Sequence, residues 1–350
     1  MKRNLRQMLA LLATLALFAA ACSSDGGDSS ESSETTAAET ETTEGGEAAP
    51  ADEFRVAVVA PSAANDLAFT QSMNDALERL LADGVISEFV ISENMFVVED
   101  AGTALRDYAA EGYDLVIGHG SQYGSSLQEI APDFPETAFV WGTAADTFGI
   151  ANISAYSAAA DQGGYVLGVM AAMLSEAGQI GVVGPIEVGD AKLYVDGFKA
   201  GAEATADGIA VNVNYIESFS DTALAAEAAT AFVGAGADVL TGSAQMTAGA
   251  IGVAGNEGVL WFGTQSAQTQ LAPEIVVANQ VYHWEGILTD LIADIKAGTL
   301  GGQSYEVTLA NGGLVVEYND AYAIPDDVKA AAEAAIAGIS DGSMSTGVAG

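Results

Sequence analysis

The chain has 350 residues, of which 48 are Asp or Glu and only 10 Lys or Arg, giving a formal net charge of −38 at pH 7. A molecule this acidic is a poor partner for nucleic acid or for an anionic lipid surface. Two histidines and one cysteine are too few for an intramolecular disulfide or a zinc-type cluster, so no metal and no cofactor is expected.

Residues 1–21 begin with the basic Lys2, Arg3 and Arg6, continue through an apolar run from Met8 to Phe18, and end on small residues before Cys22. That is the order of a secretory signal peptide, and the apolar run is shorter than the ~20 residues a membrane span needs. The lone Cys22 after Ala20 and Ala21 resembles the bacterial lipobox, so Cys22 is expected to be the acylated N-terminus of a cell-membrane lipoprotein held on the extracytoplasmic face. Residues 22–53 are Ser, Thr, Glu, Gly and Ala almost throughout, without an aromatic before Phe54. Such a stretch cannot offset its ordering entropy by burial, and it is predicted to be a disordered acidic tether.

From Arg55 the pattern changes to short apolar strands alternating with Ala-rich helices. Strands are expected at Arg55–Ala60, near Phe89–Val98, at Asp114–Gly118 and at Thr137–Trp141, with helices at Asp66–Leu81, Thr103–Glu111 and Tyr123–Ala131. A second set follows, with strands at Gln179–Val183, Val211–Glu217, Asp238–Thr241 and Val259–Phe262. Its helices lie at Gly163–Ser175, Ala191–Thr205, Thr222–Val233 and Thr247–Ala254. Ile275–Tyr282 reads as extended, Gly286–Lys296 as helical, Tyr305–Tyr318 as a hairpin turning at Asn311-Gly312-Gly313, and Pro325–Ile336 as a last helix. The class is α/β with two doubly wound, Rossmann-like domains.

In open parallel sheets ligands sit beyond the carboxyl ends of the strands. The loops there hold Asn65, Asp66 and Phe69, then His119, Gln122 and Tyr123, then Trp141. Further on come Tyr194, Gln245, Gln265 and Trp284. Aromatic faces with amide edges suit a flat polar ring. Each aromatic is also a candidate for the core, and Phe69 shares helical spacing with Met73. No P-loop, dinucleotide glycine pattern or nucleophile elbow is present, so an enzyme is not expected. Beyond the signal only seven cations remain, and Lys192 alone lies in one of these loops, which favours a neutral or cationic ligand.

Several segments, in order, resemble the basic membrane protein family of solute-binding lipoproteins: Asp66-Leu-Ala-Phe69-Thr-Gln71-Ser72, Asp114-Leu-Val-Ile-Gly118, Tyr165-Val-Leu-Gly168, Gly197-Phe198-Lys-Ala-Gly201 and Gly236-Ala-Asp238. The resemblance implies a type I periplasmic-binding-protein fold with a three-crossing hinge. It also implies a monomer that delivers a purine nucleoside, nucleobase or related solute to ABC permease and ATPase subunits. Phe69 would stack on the base, with Asp66 or Asn65 helping to bind it. The domains implied are 54–155 with about 282–305, and 156–281 with about 306–340.

Two departures stand out. Where nucleoside-binding members have an Asp for the ribose hydroxyls, this chain has Gln265 after Gly263-Thr264. Their later lysine is replaced near Tyr282 or His283. Both favour a free nucleobase over a nucleoside. A ligand-sensing receptor, and a binder of amines, quaternary ammonium compounds or sugar-like solutes, remain alternatives.

Overall fold

The computed structural model describes residues 53–349; the signal segment, Cys22 and nearly all of the expected tether lie outside them. Two six-stranded sheets carry the architecture. The first runs β2 (Glu88–Ser92), β1 (Arg55–Val59), β3 (Leu115–Gly118), β4 (Ala138–Gly142), β5 (Ile153–Ala158) and β11 (Ser304–Val307). The second runs β7 (Ala210–Tyr215), β6 (Gln179–Gly184), β8 (Val239–Gly242), β9 (Leu260–Gln265), β10 (Val276–Tyr282) and β12 (Leu314–Tyr318). Read by position, the two orders are the same. Every neighbouring pair is parallel except β10 with β12.

Central strands such as β3, Leu-Val-Ile-Gly, are buried along their whole length, as expected of parallel strands covered by helices on both faces. Helices α1 (Phe69–Ala82), α2 (Val98–Ala110) and α3 (Gly124–Ile130) belong to the first set. The second set holds α4 (Ala160–Leu174), α5 (Gly189–Thr205), α6 (Thr222–Gly234), α7 (Thr247–Glu257) and α9 (Asp326–Ser340). Helix α8 (Glu285–Lys296) returns to the first lobe against α1 and β11. The chain therefore passes between the sheets three times, from β5 into α4, from β10 into α8 and from β11 into β12. One apolar cluster runs through these crossings, from Val58 and Leu77 by way of Tyr282 and Trp284 to Met170 and Phe198.

Helices α4 and α5 touch backbone to backbone. A methyl group added at Gly168 would strike the Phe198 carbonyl oxygen, and one at Gly201 that of Tyr165. The small residues of these two sequence segments are thus explained by close approach of the helices.

Three expectations are corrected. The stretch 305–318 is not a hairpin: β11 pairs with β5 and β12 with β10. Asn311 makes the turn between them, its Oδ1 accepting from the Thr308 and Gly313 amides and its Nδ2 donating to the Glu306 carbonyl. Strand β5 was not anticipated, because Ile-Ser-Ala-Tyr-Ser-Ala lacks an apolar run and no helix separates it from β4. The second strand ends at Ser92, since Val98 already opens α2.

Candidate ligand-binding cleft

The carboxyl ends of both sheets face one cavity. Phe69, Phe96, Gln122 and Thr143 line it from the first sheet's loops, and Asp190, Phe219, Gln245 and Gln265 from the second's. The space is partly open and measures about 50 Å³ reckoned at the centres of the waters it would admit, several times the roughly 10–15 Å³ that one water needs. Three residues on its wall, Thr143, Ala244 and Gln265, hold positive φ of 58°, 71° and 72° without being glycine. Strained backbone of this kind costs of order 1–3 kcal/mol and gathers at ligand clamps.

Asp66 sets the entry to α1. Its Oδ1 accepts from the amides of Ala68 (2.8 Å) and Gln71 (3.0 Å), while Oδ2 accepts from the Ser62 hydroxyl (2.6 Å) and the Thr70 amide (3.3 Å). Burial pushes its pKa up, and these hydrogen bonds oppose that shift. The carboxylate is therefore spent on capping the helix, and neither it nor the exposed Asn65 lines the cavity. The work of Asp66 is to fix the turn that opens α1 at Phe69.

Phe69 presents its ring to the cavity. His119 stacks beneath it, with ring centroids 3.8 Å apart and planes 4° from parallel, and Trp284 meets both rings edge-on. His119 Nε2 donates to the Phe69 carbonyl at 3.1 Å, so Nδ1 is the acceptor for the Tyr156 hydroxyl at 2.5 Å. Burial lowers the imidazole pKa to about 3, so the ring is neutral. Trp284 Nε1 donates to Ser72 Oγ at 2.8 Å. His119 and Trp284 thus support the Phe69 ring from below; they do not line the cavity.

Tyr123, Tyr194 and Trp141 also stay off the cavity wall. The Tyr123 hydroxyl donates to the Met95 carbonyl, that of Tyr194 pairs with Thr241 Oγ1 inside the core, and Trp141 stacks on Phe148. Tyr123 and Tyr194 are fully buried, and Trp141 is half-buried. Gln122, Gln245 and Gln265 do line the cavity. Gln245 Nε2 reaches across to Ser62 Oγ at 3.1 Å, and Gln265, 3% exposed, has a buried amide oxygen without a partner.

Sequence reasoning missed Asp190. It lies in the first turn of α5 behind Gly189, whose φ of 54° suits glycine. The Tyr282 hydroxyl donates to its Oδ2 at 3.2 Å. Burial raises its pKa to about 6, opposed by Tyr282, nearby backbone amides and the Gln265 amide. Gln265 therefore does not leave the cleft without a carboxylate, because Asp190 stands beside it. His283 makes its contacts elsewhere, with Glu285 and Glu317. Among the described residues no cluster of metal-ligating side chains occurs, and no helix is long and apolar enough to cross a membrane.

Two sheets of equivalent order, three crossings and a cavity lined from both sides define a two-lobed solute-binding protein of the α/β type I periplasmic class. Residues 54–336 match the family of PnrA-like ABC transporter substrate-binding proteins, Bmp, and the chain belongs to that family. A purine-binding protein of Brucella abortus is 29% identical over 303 residues, covering 86% of this chain and 85% of that protein. An ABC transporter nucleoside-binding protein of Lactococcus lactis is 27% identical over half of each chain. Among solved structures, a solute-binding protein of an ABC transporter system from Conexibacter woesei superposes with a TM-score of 0.71 at 25% identity, over 83% of this chain and 98% of that one. The protein is an extracytoplasmic ABC transporter substrate-binding protein whose partners are a small solute and the membrane components of the transporter.

Proposed function

We propose that the solute is a purine, as nucleobase or nucleoside, held by stacking on Phe69 and oriented by the side chains that face it from the second lobe. The observation that carries this reading is the Phe69 ring itself, backed by the parallel His119 ring and lining the cavity. Phe219 supplies a second aromatic from the other lobe, and Gln122, Gln245 and Gln265 supply the amide edges. The purine-binding relative from Brucella abortus and the nucleoside-binding relative from Lactococcus lactis agree with it. Because the walls come from both lobes, a bound solute has the differential contacts that closure requires.

Calorimetry of the chain from residue 23 onward against adenine, guanine, hypoxanthine and their nucleosides tests the reading. Binding of at least one is expected, and Phe69→Ala should weaken it by about 1–3 kcal/mol. Failure of all six would overturn the purine assignment. We further infer that Cys22 carries the lipid anchor, that the following acidic stretch keeps the monomeric clamp near its permease at high effective concentration, and that the protein catalyses no reaction. Labelled fatty acid should enter the wild type and be lost in Cys22→Ser; equal labelling would refute the anchor. Recovery of each purine unchanged after incubation is the matching check on catalysis.

A further inference from the structure

The cleft contains a carboxylate for which the protein supplies no cation. Lys192, two positions from Asp190, is engaged by Glu187 and Asp196, and no salt bridge to Asp190 occurs among the described residues. Tyr282 donates to Oδ2 and only neutral amides, Gln265 among them, approach the carboxylate besides. Beside it the Gln265 amide oxygen is buried and unpartnered, on a residue held at φ 72° and lining the same cavity. A carboxylate without a counter-ion beside a buried, unpartnered amide oxygen is costly unless something arrives with donors.

We propose that Asp190, with Gln265 beside it, is the specificity determinant of the cleft, accepting a pair of adjacent hydrogen donors from the ligand. The proposal rests on the purine reading and names which purine compounds the site selects. An ionised carboxylate is acceptor-only and takes two neighbouring donors bidentately. Purine compounds offer such a pair in two places: the N1–H with the 2-amino group of a guanine-type edge, and the 2′,3′-cis-diol of a ribose. An adenine edge sets an acceptor next to its amino group and would meet Asp190 with like polarity, which discriminates against it. The raised pKa of Asp190 fits a group whose charge is left for the ligand to satisfy.

Calorimetry at pH 7.5 with guanine, hypoxanthine, adenosine and 2′-deoxyadenosine, on the wild type and Asp190→Asn, separates the sources. If the base edge is read, the substitution weakens guanine roughly ten- to hundredfold and hypoxanthine, which offers the N1–H alone, by less. If the ribose is read, adenosine suffers that loss and 2′-deoxyadenosine does not. The variant should melt no lower than the wild type at this pH, since it removes an uncompensated charge, and Asp190→Ser serves as a second variant should Asp190→Asn misfold. Purines bound by the wild type with affinities unaltered in a folded variant would overturn the proposal. Absence of any purine binding to the wild type would instead overturn the purine reading, and this inference with it.

Discussion

The two walls of the cleft are built on opposite principles. Behind the first, the polar groups that hold Phe69 in place are satisfied: Asp66 caps a helix, His119 is fixed by Phe69 and Tyr156, and Trp284 by Ser72. On the second, polar groups are left waiting. All six buried side-chain atoms without a partner among the described residues, on Ser243, Thr264, Gln265, Gln280 and Tyr318, belong to the second lobe. Of these residues Gln265 alone lines the cavity, so its amide oxygen is the hydrogen-bonding capacity open to a ligand. On the proposed reading, the first wall stacks the solute and the second selects it.

The strongest way to break this contrast is to truncate one side chain on each wall. Trp284 is fully buried against Phe69, His119, Tyr156 and Tyr282. Trp284→Ala is expected to cost about 3–5 kcal/mol in urea unfolding. Gln265→Ala should stay within about 1 kcal/mol, because its amide oxygen has no partner to lose. Equal losses at the two positions would show that both walls are structural.

Acidification sharpens the contrast with opposite signs. His119, moved from 6.5 to about 3, resists protonation when folded, so its stabilising contribution is complete above pH 6.5 and is lost as pH falls toward 3. Asp190, moved from 3.8 to about 6, binds its proton more tightly when folded, so its contribution is complete below pH 3.8 and is lost as pH rises through 6. Between pH 4 and 6 the two oppose each other at about 1.4 kcal/mol per pH unit each. Unfolding series at pH 4.5, 5 and 5.5 should therefore show Asp190→Asn losing stability on acidification about one proton more steeply than wild type, and His119→Gln about one proton less. Parallel slopes for the three proteins would refute both assignments.

Much of the fold was legible because parallel strands buried on both faces leave continuous apolar runs, and Ala-rich helices lie between them. Strand β5 was not, since neither composition nor a preceding helix marks it. In the cleft, Phe69, Gln122, Gln245 and Gln265 were legible from their places after strand ends. His119, Tyr123, Trp141, Tyr194 and Trp284 share those places, but whether an aromatic faces the cavity or the core depends on neighbours far away in sequence. Asp190 was hidden for a different reason. In a chain with 48 acids one more carboxylate carries no signal, and only its burial beside Tyr282 and Gln265 sets it apart.

The smallest expected effect lies where the two walls touch. Gln245 Nε2 donates to Ser62 Oγ at 3.1 Å across 183 positions, and Gln268 Nε2 reaches the Leu67 carbonyl at 3.3 Å. Ser62 also serves Asp66 and Thr70, so this contact couples the second lobe to the loop that holds Phe69. A single neutral hydrogen bond is worth about 0.5–1.5 kcal/mol net, so Gln245→Ala should shift the open and closed populations of the ligand-free protein by no more than roughly tenfold. Spin labels placed on α2 and α6 report the distance between the lobes without ligand. A distribution moved toward longer distances would show that the bond holds the walls together before solute arrives, whereas an unchanged distribution with weaker binding would make Gln245 a ligand contact alone.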